Sequence, residues 1–261
     1  MVLLFLMILS SITVSSGRFE LIYSGHAPSD EFYTDHIDNI YFIDDHKIIK
    51  VEASSGRMLE YGSLSAGPIS SADVSNPLQI LVFYRDFNRL LFLNNRLSPL
   101  RSEINLSDLG IDKAILTCSS GRGGFWVFSD IDDHLVYFDQ QLQKSQHSMI
   151  ISSITGINAQ PVFMTESQNQ LYLHVPRKGI LVFDRFASYL KTLPYSGPDK
   201  FRVIGGMIVY FDQRQLKRLD IDSGKVETLP MPGEVLPDYA DIQPERIYIL
   251  SGNRIKVYSI R

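Results

Sequence analysis

The stretch Met207–Leu229, MIVYFDQRQLKRLDIDSGKVETL, contains three short strand-like runs separated by polar turns. The first run is Met207–Phe211, and the second is Leu216–Ile221, after a short polar connector. The third run, Lys225–Leu229, follows a turn of sequence Asp-Ser-Gly. Branched and aromatic residues in short runs, joined by tight turns, are typical of strands in β-hairpins.

This unit recurs about six times along the chain. Its middle runs are Ile48–Val51, Leu90–Leu93, Leu135–Phe138, Ile180–Phe183, Leu216–Leu219 and Ile255–Tyr258. A period of about 40 residues with four short strands in each repeat is typical of the blades of a β-propeller. The sequence therefore predicts an all-β fold with six four-stranded blades. Five or seven blades, or an irregular β-solenoid, are the alternatives.

In each repeat a weaker β-rich run precedes the runs described above. We predict that it forms the innermost strand of the blade. Five such runs are Ser71–Val74, Ile115–Cys118, Val162–Thr165, Phe201–Ile204 and Tyr239–Ile242. Two of them place a carboxylate at matching positions, Asp73 and Asp241, where innermost strands line the central channel. These carboxylates could hold a cation or act as acid and base. We favour a structural role, in which they bind backbone amides of neighbouring blades.

The ends of the chain predict how the ring closes. Phe19–Tyr23 reads as a strand with no partner nearby in sequence, and the final repeat stops at Arg261 after three strands. A propeller must close its ring, so we expect Phe19–Tyr23 to be the outer strand beside Ile255–Ile260. The propeller is then a single domain over residues 18–261, which is a usual domain size.

Residues 1–17 have the pattern of a secretory signal peptide. Val2–Val14 carries no charged side chain and is followed by the small residues Ser15-Ser16-Gly17. Thirteen residues are too few to span a bilayer, which needs about 20, but they suit the apolar region of a signal peptide. No Lys or Arg precedes the run, and the alternatives are a buried strand or an uncleaved anchor. We expect a periplasmic or secreted protein with no transmembrane span in the mature chain.

Composition restricts the partners. The net charge is −4 with acidic and basic residues interspersed, which gives no electrostatic reason to expect nucleic acid or a polybasic membrane patch. The chain has one cysteine, Cys118, so it forms no intramolecular disulfide. A free cysteine in an inner strand is usually a small buried hydrophobe. We expect a monomer whose single tryptophan, Trp126, fills space between blades.

The candidate binding residues lie on one face of the predicted disc. The turns between second and third strands share a face with the long connectors between blades, and we call this the loop-rich face. Its charged residues are Asp45, His46, Arg85, Arg89, Asp133, His134, Arg177, Lys178, Arg214 and Arg254. Such a rim suits a charged ligand or a partner surface. The alternative is that these residue types are present because tight turns favour them, and that their side chains are simply solvated.

The segment Leu219–Val226 has the sequence LDIDSGKV, and weaker matches to this pattern occur at Val51–Met58 and Phe138-Asp139. It resembles the repeats of YncE-like and quinoprotein-type propellers, and it is similar to those of NHL-type six-bladed propellers. The resemblance implies the architecture and assigns no catalytic residue. Quinoprotein blades dock through tryptophans, and this chain has a single one. We therefore expect no pyrroloquinoline quinone, no other cofactor and no dedicated metal site.

Together these features predict an exported, non-enzymatic binding or scaffold propeller of the bacterial cell envelope. It would bind a protein or glycan partner on the loop-rich face. The alternative is a metal-dependent hydrolase or lyase with its site in the central channel, built around residues such as Asp73 and Asp241.

Overall fold

The computed structural model describes residues 19–158, 160–233 and 236–260. Within these ranges the chain forms 24 strands, arranged as six antiparallel sheets of four strands each. The sheets are the blades of a propeller ring, so the predicted all-β fold with six four-stranded blades is confirmed. The predicted signal peptide, residues 1–17, lies outside the described residues.

The strands are numbered in chain order, and β1 (Phe19–His26) belongs to the last blade. Blade one contains β2 (Phe32–Thr34), β3 (Asn39–Asp44), β4 (Lys47–Glu52) and β5 (Met58–Gly62). Blade two contains β6 (Ser71–Asp73), β7 (Ile80–Tyr84), β8 (Arg89–Leu93) and β9 (Ile104–Asn105). Blade three contains β10 (Ala114–Ser119), β11 (Phe125–Ser129), β12 (His134–Phe138) and β13 (Lys144–His147).

The second half of the ring has the same layout. Blade four contains β14 (Phe163–Ser167), β15 (Gln170–Val175), β16 (Gly179–Asp184) and β17 (Tyr189–Leu193). Blade five contains β18 (Arg202–Ile204), β19 (Met207–Asp212), β20 (Gln215–Asp220) and β21 (Val226–Thr228). Blade six contains β22 (Tyr239–Gln243), β23 (Arg246–Ser251), β24 (Arg254–Ile260) and β1.

Within residues 19–158, 160–233 and 236–260, helical structure is limited to short connecting segments. One α-helix, α1, spans Ile151–Thr155, and the 3-10 helices span Leu64–Ala66, Arg85–Phe87 and Leu106–Leu109. Over the described part of the chain, none of these helices has the length and apolar character needed to cross a membrane.

The innermost strands are the first strands of the blades. Each of the five predicted innermost runs is a strand, with bounds shifted by one or two residues. The innermost strand of blade one was not predicted. It is the three-residue β2, which lies in a polar stretch and buries Phe32 and Thr34. Its shortness explains why the local pattern did not reveal it.

Each interface between adjacent blades contains its own apolar cluster. Strand β7 shows how one strand serves two of them, because successive side chains of a strand point to opposite faces. Leu81 and Phe83 pack with blade three, whereas Val82 and Tyr84 pack with blade one. All five residues of β7 are buried. Middle strands of this kind are apolar on both faces, so such a blade needs a neighbour on both sides. In blade five, β20 differs, because it carries Lys217 and an exposed Arg218.

The first and last described strands close the ring. Strand β1 pairs antiparallel with β24, from Phe19 opposite Ile260 to His26 opposite Arg254, with one irregularity between Leu21 and Tyr23. The predicted closure by the N-terminal strand is thus confirmed. The direction of β1 follows from this pairing. It begins at the face opposite the loop-rich face and ends at the loop-rich face.

We expect that deleting residues 18–24 abolishes cooperative thermal unfolding. The deletion removes most of the outer strand of blade six, which leaves β24 as an unpaired edge and uncovers the apolar surface between blades six and one. The measurement is circular dichroism during heating. Adding a peptide of residues 18–26 should restore a cooperative transition.

The matched control is the double substitution Leu21→Ser and Ile22→Ser, which changes side chains that are exposed on β1 and keeps its backbone. This variant should melt within a few degrees of the unmodified protein. A truncated protein that melts like the unmodified one would show that the closure is not needed for stability.

Candidate functional site

The innermost strands line a central cavity of about 370 Å³. These strands begin at the loop-rich face because they follow the connectors between blades. Residues at or before their starts, such as Ser70 and Lys200, therefore lie toward that face. Residues at their ends, such as Asp73 and Ser167, lie toward the opposite face. All of these residues line the cavity.

Arg202 connects three blades inside the cavity wall. From blade five, its Nε donates to Asp241 Oδ1 of blade six at 3.1 Å, and its Nη2 donates to Asp241 Oδ2. The same Nη2 donates to Thr34 Oγ1 of blade one at 3.0 Å. Thr34 is 1 % exposed, and its hydroxyl donates to Asp241 Oδ2 at 2.7 Å. Gln243 Nε2 also donates to Thr34 Oγ1 at 3.0 Å. Asp241 is thus part of a network that holds blades five, six and one together.

Asp73 and Glu166 make similar connections on the other side of the ring. Asp73 of blade two accepts hydrogen bonds from the backbone amides of Ser75 at 2.9 Å and Ser119 of blade three at 2.8 Å. Glu166 of blade four accepts one from the Gly121 amide of blade three at 2.9 Å and one from Trp126 Nε1 at 2.6 Å. Each of these carboxylates therefore joins two blades.

Two of these connecting residues were missed in the sequence. Glu166 directly follows the predicted inner run Val162–Thr165, and Arg202 lies within Phe201–Ile204. A charged side chain in an innermost strand is the signal that could have found both. Trp126 fills space between blades, but it also donates a hydrogen bond, which its position in the sequence did not reveal.

The described residues offer no ready centre for metal or nucleophilic chemistry. Asp73 and Asp241 lie on blades two and six, and the described ranges contain no group of three or more His, Cys, Asp or Glu side chains that could hold a metal ion. Cys118 is buried, and burial raises its pKa well above the ordinary value. Its sulfur is therefore a neutral thiol, which is a poor nucleophile.

The cations near the loop-rich end of the cavity differ in their pairing. Lys200 donates to Glu31 and to Tyr33 Oη at 3.2 Å, and its Nζ lies 5.0 Å from the centre of the Tyr33 ring. Arg85 also lines the cavity but is exposed. Its guanidinium makes no ion pair or hydrogen bond with any residue that the structure describes. Among the described cations that line the cavity, Arg85 is thus the one without a counter-ion.

The other candidate binding residues are distributed around the loop-rich face. Asp45 Oδ2 and His46 Nδ1 are 3.0 Å apart. The remaining pairs are Asp133 Oδ2 with the Ser152 amide, His134 Nδ1 with the Asp132 carbonyl, Arg89 with Glu103, Arg214 with Asp238, and Arg254 with Ser24 Oγ. Arg177 and Lys178 are exposed, and their side chains have no partner among the described residues. Of the ten residues, only Arg85 lines the central cavity.

Blades one and three share the sequence Ile-Asp-Asp-His, at residues 43–46 and 131–134. It does not produce the same geometry in the two blades. In blade one the turn consists of Asp45 and His46, whereas in blade three a longer turn places His134 at the start of β12. The two histidines belong to blades that are not neighbours. The repeated motif therefore does not bring the two Asp-His pairs into one site.

An aromatic cluster supports one wall of the cavity. Phe163 and Phe201 line it, with ring centres 5.0 Å apart, and His174 and Tyr195 pack behind them. His174 is 3 % exposed and donates from Nδ1 to the Asp199 carbonyl at 3.1 Å. Burial lowers the pKa of His174, and the hydrogen bond to Asp199 opposes this effect. The folded protein therefore holds this ring neutral.

Comparisons with known proteins support the fold. No protein-family model and no curated protein sequence matches the chain. A streptogramin B lyase structure is similar, with 13 % identity and a TM-score of 0.60 over 94 % of this chain and 98 % of that one. So are BamB from Moraxella catarrhalis, with 8 % identity and a TM-score of 0.53 over 93 % and 98 %, and a chain of a mitotic checkpoint complex, with 10 % identity and a TM-score of 0.64 over 99 % and 98 %. At such low identity the likeness shows the propeller architecture alone.

We expect Asp241→Asn to lower the free energy of unfolding by about 2–3 kcal/mol. The substitution leaves Arg202 without its counter-ion, and the two side chains are 12 % and 27 % exposed, so solvent compensates only in part. The measurement is urea denaturation at neutral pH. The matched control is Glu227→Gln, which breaks the more exposed pairs of Glu227 with Arg218 and Lys225 and should change the free energy of unfolding much less. Equal losses in the two variants would contradict the proposed connection between blades.

We expect the stability to fall as the pH decreases from about 7.5 to 5.5, in part because of His174. Its pKa is lowered in the folded state, so the unfolded chain binds the proton more tightly. The stabilisation from the neutral His174 ring is complete at pH values above the pKa of histidine in the unfolded chain, about 6.5. Below that pH it is lost, by at most about 1.4 kcal/mol per pH unit. Urea denaturation across this range should give a smaller slope for His174→Gln. The exposed control His36→Gln should keep the original slope, and an unchanged slope in His174→Gln would refute the assignment.

Proposed function

We propose that the chain is an exported, non-enzymatic binding or scaffold propeller of the bacterial cell envelope. It uses the loop-rich face to bind a protein or glycan partner. One contrast carries this proposal. The carboxylates of the cavity are already engaged in contacts between blades, whereas Arg85, Arg177 and Lys178 are exposed cations without partners in the described ranges. The cations available to a partner are therefore on the rim.

Export is supported by the sequence of the N-terminus. The uncharged apolar stretch of residues 1–17 is followed after Arg18 by strand β1. We propose that the stretch is removed as a signal peptide and that the mature protein is periplasmic or secreted. Strand β1 then completes blade six from within the same chain. No second copy is needed to finish the ring, which is consistent with a monomer.

The alternative, a metal-dependent hydrolase or lyase, has weaker support. The likeness to a streptogramin B lyase structure concerns architecture at 13 % identity. A channel enzyme of this kind would need carboxylates free to ligate a metal or to transfer a proton. Asp73, Glu166 and Asp241 instead accept hydrogen bonds that join blades. The net charge of −4 likewise favours a protein or glycan partner over nucleic acid.

The test is crosslinking of the tagged protein in its native envelope fraction, followed by mass spectrometry of the captured partners. We expect a specific partner to be lost, by about tenfold or more, from the double variant Arg177→Glu and Lys178→Glu. Reversing two rim charges converts attraction into repulsion at a complementary surface.

The matched control is the double variant Arg96→Glu and Arg185→Glu. These residues are also exposed, but they lie between third and fourth strands and hence on the opposite face. The control should capture the partner normally. A partner lost equally from both variants, or from neither, would show that the loop-rich face is not the binding surface.

A further inference from the structure

The charges that line the cavity are arranged by depth. At the loop-rich end, Lys200 is neutralised by Glu31, and the guanidinium of Arg85 stays uncompensated. Within the wall, Arg202 and Asp241 neutralise each other. At the opposite end, the carboxylates of Asp73 and Glu166 receive hydrogen bonds only from neutral donors.

A carboxylate has about four lone-pair sites, so Asp73 and Glu166 each retain capacity to accept further hydrogen bonds. Ser70 precedes β6 by one residue and its Oγ accepts from the Arg85 amide at 3.1 Å, whereas Asp73 ends that strand. Three residues of strand separate the two levels by about 10 Å. The backbone of Arg85 and the carboxylate of Asp73 therefore lie at levels about 10 Å apart, a gap that one sugar residue can span with a hydrogen bond at each end.

The side walls between these two ends are aromatic. Tyr33, Phe163, Tyr210, Phe211 and Tyr239 line the cavity, and each keeps part of its surface accessible. The negative faces of aromatic rings attract the weakly positive C–H groups on the apolar face of a pyranose. A ring-shaped ligand with polar edges is the shape and chemistry that such walls accommodate.

We propose that the cavity binds a uronic acid, either as the free sugar or as the terminal residue of an acidic glycan. Its carboxylate pairs with Arg85, for which a planar guanidinium is well suited. Its hydroxyls donate to Asp73 and Glu166, while the ring packs against the aromatic walls. A volume of about 370 Å³ lies at the lower end of ligand pockets and suits one sugar residue. This inference rests on the glycan form of the proposed function and names its ligand class.

The test is isothermal titration calorimetry of the protein with D-glucuronate and D-galacturonate. Glucose supplies the ring without the charge, and acetate supplies the charge without the ring. We expect both controls to bind at least about tenfold more weakly than the better uronate, as for loss of a hydrogen bond to a charged group. Trigalacturonate distinguishes the two forms of the ligand, the free uronic acid and the terminal residue of an acidic glycan. Tighter binding than the monosaccharide supports a glycan end, and equal binding supports the free sugar.

One variant locates the site. Arg85→Gln changes an exposed side chain, so it should fold normally and weaken uronate binding by about tenfold or more. The matched control is Arg96→Gln, an exposed residue on the opposite face that does not line the cavity, and it should leave uronate affinity unchanged.

The proposal is overturned if neither uronate binds, if glucose or acetate binds as tightly, or if Arg85→Gln has no more effect than Arg96→Gln. A failure of this proposal can be distinguished from a failure of the proposed function. A chain that binds no uronate but still loses its envelope partner through Arg177→Glu and Lys178→Glu would retain its scaffold role.

Discussion

The structure depends on one constraint, which is that every blade must have a neighbour on both sides. The middle strands are apolar on both faces, and each face belongs to a different cluster between blades. An open row of six such sheets would leave two apolar faces in water, which is unfavourable in proportion to the area exposed. The antiparallel pairing of β1 with β24 is what prevents this. Ring closure therefore stabilises the molecule through the apolar surface between blades six and one as well as through its own hydrogen bonds.

The same constraint explains the polar centre. Innermost strands converge on the axis, where their side chains meet those of other blades and cannot all be apolar and well packed. Arg202, Asp241 and Thr34 satisfy one another there across three blades, and Glu166 with Trp126 does so across two. Buried polar groups arranged in this way make the order of the blades specific. Arg85 lines the cavity, and its guanidinium has no partner among the described residues.

The repeat period and the strand-like runs were sufficient to predict the six blades and five of the six inner runs, because these features depend on local pattern. The closing strand was predicted from the requirement that a propeller ring closes. Strand β2 was missed because three residues contain almost no periodic signal. The contacts of Glu166 and Arg202 join residues about 40 positions apart and depend on which blades become neighbours. Local pattern carries no such information. The shared Asp-His sequences of blades one and three led to different turns because the turn lengths differ.

The pairing of β1 with β24 also determines the order in which the fold can be completed. The two strands lie at opposite ends of the chain, and synthesis proceeds from the N-terminus. The strand that is made first must therefore wait for the strand that is made last, and such long-range pairing slows folding. During that interval β1 is an unpaired edge that carries the exposed side chains of Leu21 and Ile22, and edges of this kind pair readily with other chains. The yield of native protein is thus governed by how long the nascent N-terminal strand is kept from foreign partners.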